Sequence, residues 1–249
     1  MSSIEPELHV LYRIGNAEVR EFPYPHIYVP DVFPEAFYAE IRRNLPPQAV
    51  LKNLGELGRV KGGDGYPERG VLPLAPEHLA HLDEAQRGFW EGMRKWLLSK
   101  RFLDTVIAKF APYLVHRLGD LRQVRFGHEA LIVRDRTKYS LGPHTDSPSK
   151  ALSFLFYLPP DAALSNLGTS IYLPRDPAFG CAGGPHYEFD QFQRLFTARY
   201  VPNALFAFMK TNNSFHGVEP IEQPEVQRDL LLYDVRAEVV QQGAKFTFG

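Results

Sequence analysis

Hydrophobic positions change their period about halfway along the chain. Residues 83–99 place Phe89, Trp90, Met93, Trp96 and Leu97 at the i, i+3/i+4, i+7 spacing of an amphipathic helix. A second helical pattern follows on Phe102, Val106, Ile107 and Phe110, and Asp31 stands where it can cap an earlier helix through Pro34 to Ile41. These aromatic stripes read as core that packs outside a β region. The glycine-rich stretch from Gly55 to Gly70 contains Gly62-Gly63-Asp64-Gly65. No Gly-Lys-Ser/Thr follows it, so it reads as a surface loop or a flexible cover over a substrate rather than a phosphate loop.

From about residue 121 the pattern becomes short apolar runs between turn signals. Ala151–Leu158, Ala204–Met209 and Asp229–Tyr233 are the clearest. This texture suits a jelly roll. The connection from Leu173 to Tyr200 is the longest irregular stretch of this half, and loops of that length are usually functional or mobile. There is no internal repeat. The expectation is therefore a mainly β fold with flanking helices. It forms a single domain over 1–249, with residues 1–120 as a helical support and 121–240 as the β core.

Three residues among these strands suggest chemistry. In His144-Thr145-Asp146 the histidine and the aspartate are two positions apart, so on an extended segment both point to one face. His216 follows another apolar run and supplies a second imidazole. Two histidines and one carboxylate with open coordination positions form the facial triad of non-heme Fe(II) oxygenases. Arg228 comes 12 residues after His216 and opens a further strand.

The segments that carry these residues are PHTDSPSKALSFLFYLP, GTSIYLP, VPNALFAFMKTNNSFHGVEPI and QRDLLLYDVR. With them, residues 121–240 resemble the double-stranded β-helix (jelly-roll, cupin-like) core of the Fe(II)/2-oxoglutarate-dependent dioxygenases, in the prolyl-4-hydroxylase-like branch. The resemblance implies that His144, Asp146 and His216 bind Fe(II) and that Arg228 pairs with the distal carboxylate of 2-oxoglutarate. It also implies that Tyr157, with Tyr139 as the upstream match in spacing, supports that carboxylate, and that O₂ is the second cosubstrate. Where the branch usually has Gly-Gly opening the next strand, this chain has Gly168-Thr169. Relatives that halogenate lack the carboxylate ligand, so Asp146 favours hydroxylation, with release of succinate and CO₂, or another outcome of hydrogen abstraction.

Composition narrows the partners. The net charge is -1, which gives no bulk attraction for polyanions, and nucleic acid is not expected as a partner. The single cysteine, Cys181, cannot form an intramolecular disulfide. Met1 to Glu7 has neither a basic start nor an apolar core, and no stretch has the length of a membrane span, so a cytoplasmic location is the expectation. Basic residues crowd around His144. Arg134, Arg136, Lys138 and Lys150 are candidate contacts for a small anionic substrate, or else a solvated strand edge. Three alternatives stay open: a prolyl or other protein hydroxylase, a cupin dioxygenase that needs no 2-oxoglutarate, and a non-catalytic cupin-like binding module. The last two have no need of Arg228. The oligomeric state is not readable.

Overall fold

The change of period in the sequence is a change of secondary structure in the chain. The computed structural model describes residues 5–59 and 66–240. The first half contains α1 (Pro6–Asn16), β1 (His26–Val29), α2 (Glu35–Arg43), β2 (Arg69–Pro73), α3 (Pro76–Leu79), α4 (Glu84–Leu97) and α5 (Lys100–Leu118). The second contains β3 (Val124–Arg136), β4 (Leu141–His144), β5 (Lys150–Tyr157), β6 (Ser170–Pro174), β7 (Phe192–Thr197), β8 (Ala204–Met209), β9 (His216–Val218) and β10 (Gln227–Val239).

The two long helices start at side-chain caps. Asp83 accepts a hydrogen bond from the Gln86 amide at 2.8 Å, and Ser99 accepts from the Phe102 amide at 3.1 Å. Helix α4 then buries Trp90, Met93 and Leu97, and α5 buries Phe102, Val106 and Phe110 and adds Leu114; Phe89, Trp96 and Ile107 of the stripes read from the sequence are half-buried at their edges. The earlier helix differs from expectation. It begins at Glu35 behind Pro34 with no side-chain cap, and Asp31 sits in a turn at φ 48°. Asp31 lies too far ahead of the first free amides to cap them.

The strands form two antiparallel sheets. The larger has the order β1-β8-β5-β10-β3-β2, and the smaller β4-β9-β6-β7. Both faces of the larger sheet are buried, and successive side chains divide between them. Ala130, Ile132, Phe154, Phe156, Leu205, Ala207, Leu231 and Tyr233 pack with the helices. Leu131, Val133, Tyr157, Phe206, Phe208 and Leu230 form a second cluster on the other face with Ile171 and Val218 of the smaller sheet. This is why the central strands read as unbroken apolar runs rather than as alternation. Among the described residues, no helix is long and apolar enough to cross a membrane.

Residues 1–120 are not only a helical support. They also supply both edges of the larger sheet, β1 pairing with β8 and β2 with β3. Strands of four and five residues, the second containing Gly70 and Pro73, give too little periodicity to be seen in the sequence. The Gly55–Gly70 loop correspondingly ends early, because Arg69 and Gly70 open β2; Gly62-Gly63-Asp64-Gly65 lies outside the described residues. The stretch from Leu173 to Tyr200 is irregular only in part, since it ends in β7, which pairs with β6.

Two glycines give opposite predictions. At Gly168 an added Cβ would lie 1.6 Å from the Ala198 carbonyl oxygen, and the Ala198 amide bonds back to the Thr169 carbonyl at 2.9 Å. Gly168→Ala must therefore move main chain and is expected to cost about 1–3 kcal/mol or more. Gly88 lies inside α4, is exposed and has nothing within 4 Å of its Cβ position. Gly88→Ala is expected to stabilise by about 0.5–1 kcal/mol. Urea unfolding midpoints of the two variants should move in opposite directions.

Candidate active site

The smaller sheet brings the two histidines together. His144 on β4 lies directly opposite His216 on β9, with ring centroids 4.3 Å apart. Gly217 permits this approach, because a Cβ there would come within 2.5 Å of the Leu141 carbonyl oxygen. Asp146 follows two residues after His144. One donor atom from each of His144, Asp146 and His216 lies within 4.8 Å of the others.

The donor set suits a divalent transition metal. His144 Nδ1 lies 3.0 Å from the Gly142 carbonyl oxygen, and His216 Nδ1 lies 2.9 Å from that of Ser214. A carbonyl only accepts, so each Nδ1 carries the proton and each Nε2 keeps a free lone pair. Burial, joined by the neighbouring His216, pushes the His144 imidazole well below its usual range, and burial lowers His216 despite Asp146 beside it. Both rings are thus neutral ligands at neutral pH. Burial alone would raise the Asp146 carboxyl, but the charge and hydrogen bond of Lys150 oppose it and hold the group ionised.

Asp146 is also fixed in orientation. Lys150 Nζ donates to Oδ1 at 3.1 Å and Ser153 Oγ donates to Oδ2 at 2.9 Å, leaving Oδ2 4.0 Å from His216 Nε2. Lys150 reaches this position through a register shift. Asp234 pairs with Ser153 and Val235 with Leu152, but Arg236 pairs with Lys150, so one residue of β5 is extra. That bulge turns Lys150 onto the cavity face, which simple alternation from Ser153 would deny it. There Lys150 also bonds Asp234, at 3.0 Å.

A cavity of about 110 Å³ runs from this triad to Arg228. Arg228 is 1% exposed. Its Nε donates to the Leu167 carbonyl at 2.6 Å, its Nη1 to Asp135 Oδ2 at 2.5 Å, and its Nη2 lies 3.4 Å from Thr169 Oγ1. Tyr157 and Tyr139 stand beside the arginine end rather than on the cavity wall. The Tyr157 hydroxyl accepts from the Thr169 amide at 3.1 Å, and its ring centre is 5.9 Å from the Arg228 guanidinium carbon. The Tyr139 hydroxyl is buried and has no partner among the described residues.

The basic cluster comes apart. Of its four candidates, only Lys150 lines the cavity. Arg134 lies on the helix-facing side of β3 and bonds Asp229 at 2.7 Å. Arg136 is exposed and donates to the Pro67 carbonyl at 2.7 Å, and Lys138 occupies a turn at φ 74°. Strand alternation and the end of β3 remove these three from the cavity.

Other residues at the site were missed in the sequence. Arg69, from edge strand β2, lines the cavity and pairs with Asp135 through Nε at 2.6 Å and Nη2 at 3.0 Å. His186 lies in the long loop after β6, with its ring 4.4 Å from that of His144, and it is hydrogen-bonded to the Tyr66 hydroxyl. Neither segment has a periodicity that would have marked these side chains.

No protein-family model matches the chain, and no curated protein sequence matches it. Solved structures do. A prolyl 4-hydroxylase from Phytophthora capsici superposes with a TM-score of 0.50 at 15% identity, covering 99% of this chain and 68% of that one. AviO1 from Streptomyces viridochromogenes gives 0.49 at 12% identity, covering 98% and 100%. The α-ketoglutarate-dependent carbocyclase SnoK from nogalamycin biosynthesis gives 0.47 at 13%, covering 99% and 92%. The first similarity, with the two antiparallel sheets, establishes that the chain has the double-stranded β-helix fold of the prolyl 4-hydroxylase, with helices against its larger sheet.

Proposed function

We propose that this protein is a non-heme Fe(II)- and 2-oxoglutarate-dependent oxygenase that hydroxylates a small molecule. The observation that carries the proposal is one cavity with a metal-ligand set at one end and a buried arginine at the other. That pairing suits a cosubstrate that chelates through one end and carries a carboxylate at the other. A metabolite-binding module has no use for the combination.

Bound Fe(II), with 2-oxoglutarate and O₂, supplies the oxidising power that hydroxylates a C–H bond while the oxo acid leaves as succinate and CO₂. The chain's own part is positioning. His144 and His216 present Nε2 because their Nδ1 protons are held by backbone carbonyls. Asp146 is the charged ligand, oriented by Lys150 and Ser153. Arg228 offers charged donors to the far carboxylate, an interaction worth roughly 1.5–3 kcal/mol. Tyr157 and Tyr139 stand beside it as supporting hydroxyls. Apolar wall residues such as Leu155, Phe208 and Leu230 limit the water that reaches the site.

Tyr66 and His186 meet beside His144, and in this reading they are the side chains that limit the size of the substrate. Substrate charge forms no part of the proposal. Three of the four candidate cations lie elsewhere, and Lys150 is engaged by Asp146 and Asp234.

The test is a succinate-release screen with Fe(II), 2-oxoglutarate and O₂ across metabolites and peptides. Wild type should release succinate, with the largest stimulation from a small molecule, whereas Asp146→Ala and His216→Ala should release none. Arg228→Ala should raise the KM for 2-oxoglutarate about 10- to 100-fold. Its fold should persist, since Asp135 keeps Arg69 as a partner. Unchanged KM in Arg228→Ala would exclude the assigned cosubstrate site, and stimulation by peptides alone would make the protein a protein hydroxylase.

Ser153→Ala tests the support of the carboxylate. It removes one hydrogen bond to Asp146 and should weaken Fe(II) binding about 10-fold or more, measured by competition with a chromogenic chelator. Equal affinity in the variant would show that Lys150 alone orients Asp146.

A further inference from the structure

Three charged residues occupy one row of the larger sheet. Arg69 on β2 lies directly opposite Asp135 on β3, and Asp135 lies directly opposite Arg228 on β10. Directly opposed residues share a face of the sheet, here the face turned to the cavity. Both guanidinium groups converge on the carboxylate between them. Arg69 takes it through Nε and Nη2, and Arg228 through Nη1.

The charge does not balance within the row. Two guanidinium groups and one carboxylate leave one positive charge, since a guanidinium is always protonated in proteins. Asp135 is 0% exposed, Arg228 1% and the Arg69 side chain 17%, so water reaches the row only at Arg69. If Arg69 served only as counter-ion to Asp135, it would duplicate what Arg228 already does. Among the described residues no neighbouring acid supplies the missing charge: Asp229 is on the opposite face with Arg134 and Arg42, and Asp146 and Asp234 are engaged by Lys150.

Donor capacity points the same way. Arg228 commits one N–H each of Nε, Nη1 and Nη2 to Leu167, Asp135 and Thr169 and keeps two of its five N–H donors. Arg69 uses Nε and Nη2 on Asp135, which leaves Nη1 unengaged among the described residues. The Arg69 guanidinium carbon is 4.3 Å from the centre of the Tyr139 ring, whose buried hydroxyl also has no partner among those residues. Unspent guanidinium donors and one uncompensated positive charge therefore stand at the same end of the cavity.

We infer that Arg69 is a second anchor for the distal carboxylate of the cosubstrate, so that the Arg69–Asp135–Arg228 row, rather than Arg228 alone, holds that group. The inference rests on the 2-oxoglutarate reading above. Asp135 holds both arginines in register, and one arriving carboxylate neutralises the row. The anchor comes from an edge strand in the N-terminal half, so the cosubstrate site is completed only when β2 is docked on β3.

The experiment is anaerobic calorimetric titration of the Fe(II)-loaded protein with two acids. 2-Oxoglutarate carries the distal carboxylate; 2-oxobutyrate has the same chelating end and lacks it. Arg69→Gln should weaken 2-oxoglutarate binding about 10- to 100-fold and leave 2-oxobutyrate within about 2-fold of wild type. Arg69→Lys, which keeps the charge but not the fork, should show the same selective loss at smaller size, and it carries the test if Arg69→Gln does not fold. Equal losses for both acids would mean that Arg69 only supports the structure, and no loss for either would remove it from the site. Both outcomes overturn the inference while leaving the proposed activity standing. Failure of the wild-type protein to bind 2-oxoglutarate would overturn both.

Discussion

The arrangement of this protein depends on a sheet buried on both faces. In β5, β8 and the central parts of β3 and β10 (130–135 and 228–235) each residue faces either the helices or the cavity, and neither side is open water. A charge on these strands is therefore committed to a face and must find its partner there, because an unpaired buried charge is costly. The ion pairs follow that rule. Arg134 and Asp229 meet on the helix side, while Arg228, Asp135 and Arg69 meet on the cavity side. One extra residue in β5 moves Lys150 from the first environment to the second, where it braces Asp146.

The two sheets divide the work. The smaller one sets the candidate metal ligands, through the direct pairing of His144 with His216 and the close approach allowed at Gly217. The larger one sets the charged end and the brace on Asp146. Its edges come from the N-terminal half, whose helices cover its outer face. The N-terminal region and the β core are thus joined by more than packing, since β2 brings Arg69 to the cavity.

The local parts of this design are legible in the sequence. His144 and Asp146 announce themselves because their spacing matches the strand period, and α4 and α5 because their apolar stripes match the helical one. What depends on pairing between distant segments is not legible. Asp135 lies in a strand with no mark of function until Arg69 and Arg228 are placed opposite it. His186 sits in an aperiodic loop and gains meaning only beside His144. The cluster of Arg134, Arg136, Lys138 and Lys150 misled for the same reason. The four are near in sequence but fall on different elements: Arg134 faces the helices, Arg136 ends β3 in solvent, Lys138 sits in a turn, and only the bulge in β5 turns Lys150 to the cavity.

The central claim is that one cavity takes a chelating dicarboxylate between a bound metal and a buried arginine. It is tested most directly by anaerobic absorption titration of the Fe(II)-loaded protein with 2-oxoglutarate. A weak visible charge-transfer band that grows to saturation at one equivalent per chain is the result this account predicts, because both the chelating and the carboxylate ends then have partners. Iron binding without such a band, and without saturable uptake of 2-oxoglutarate, would contradict it.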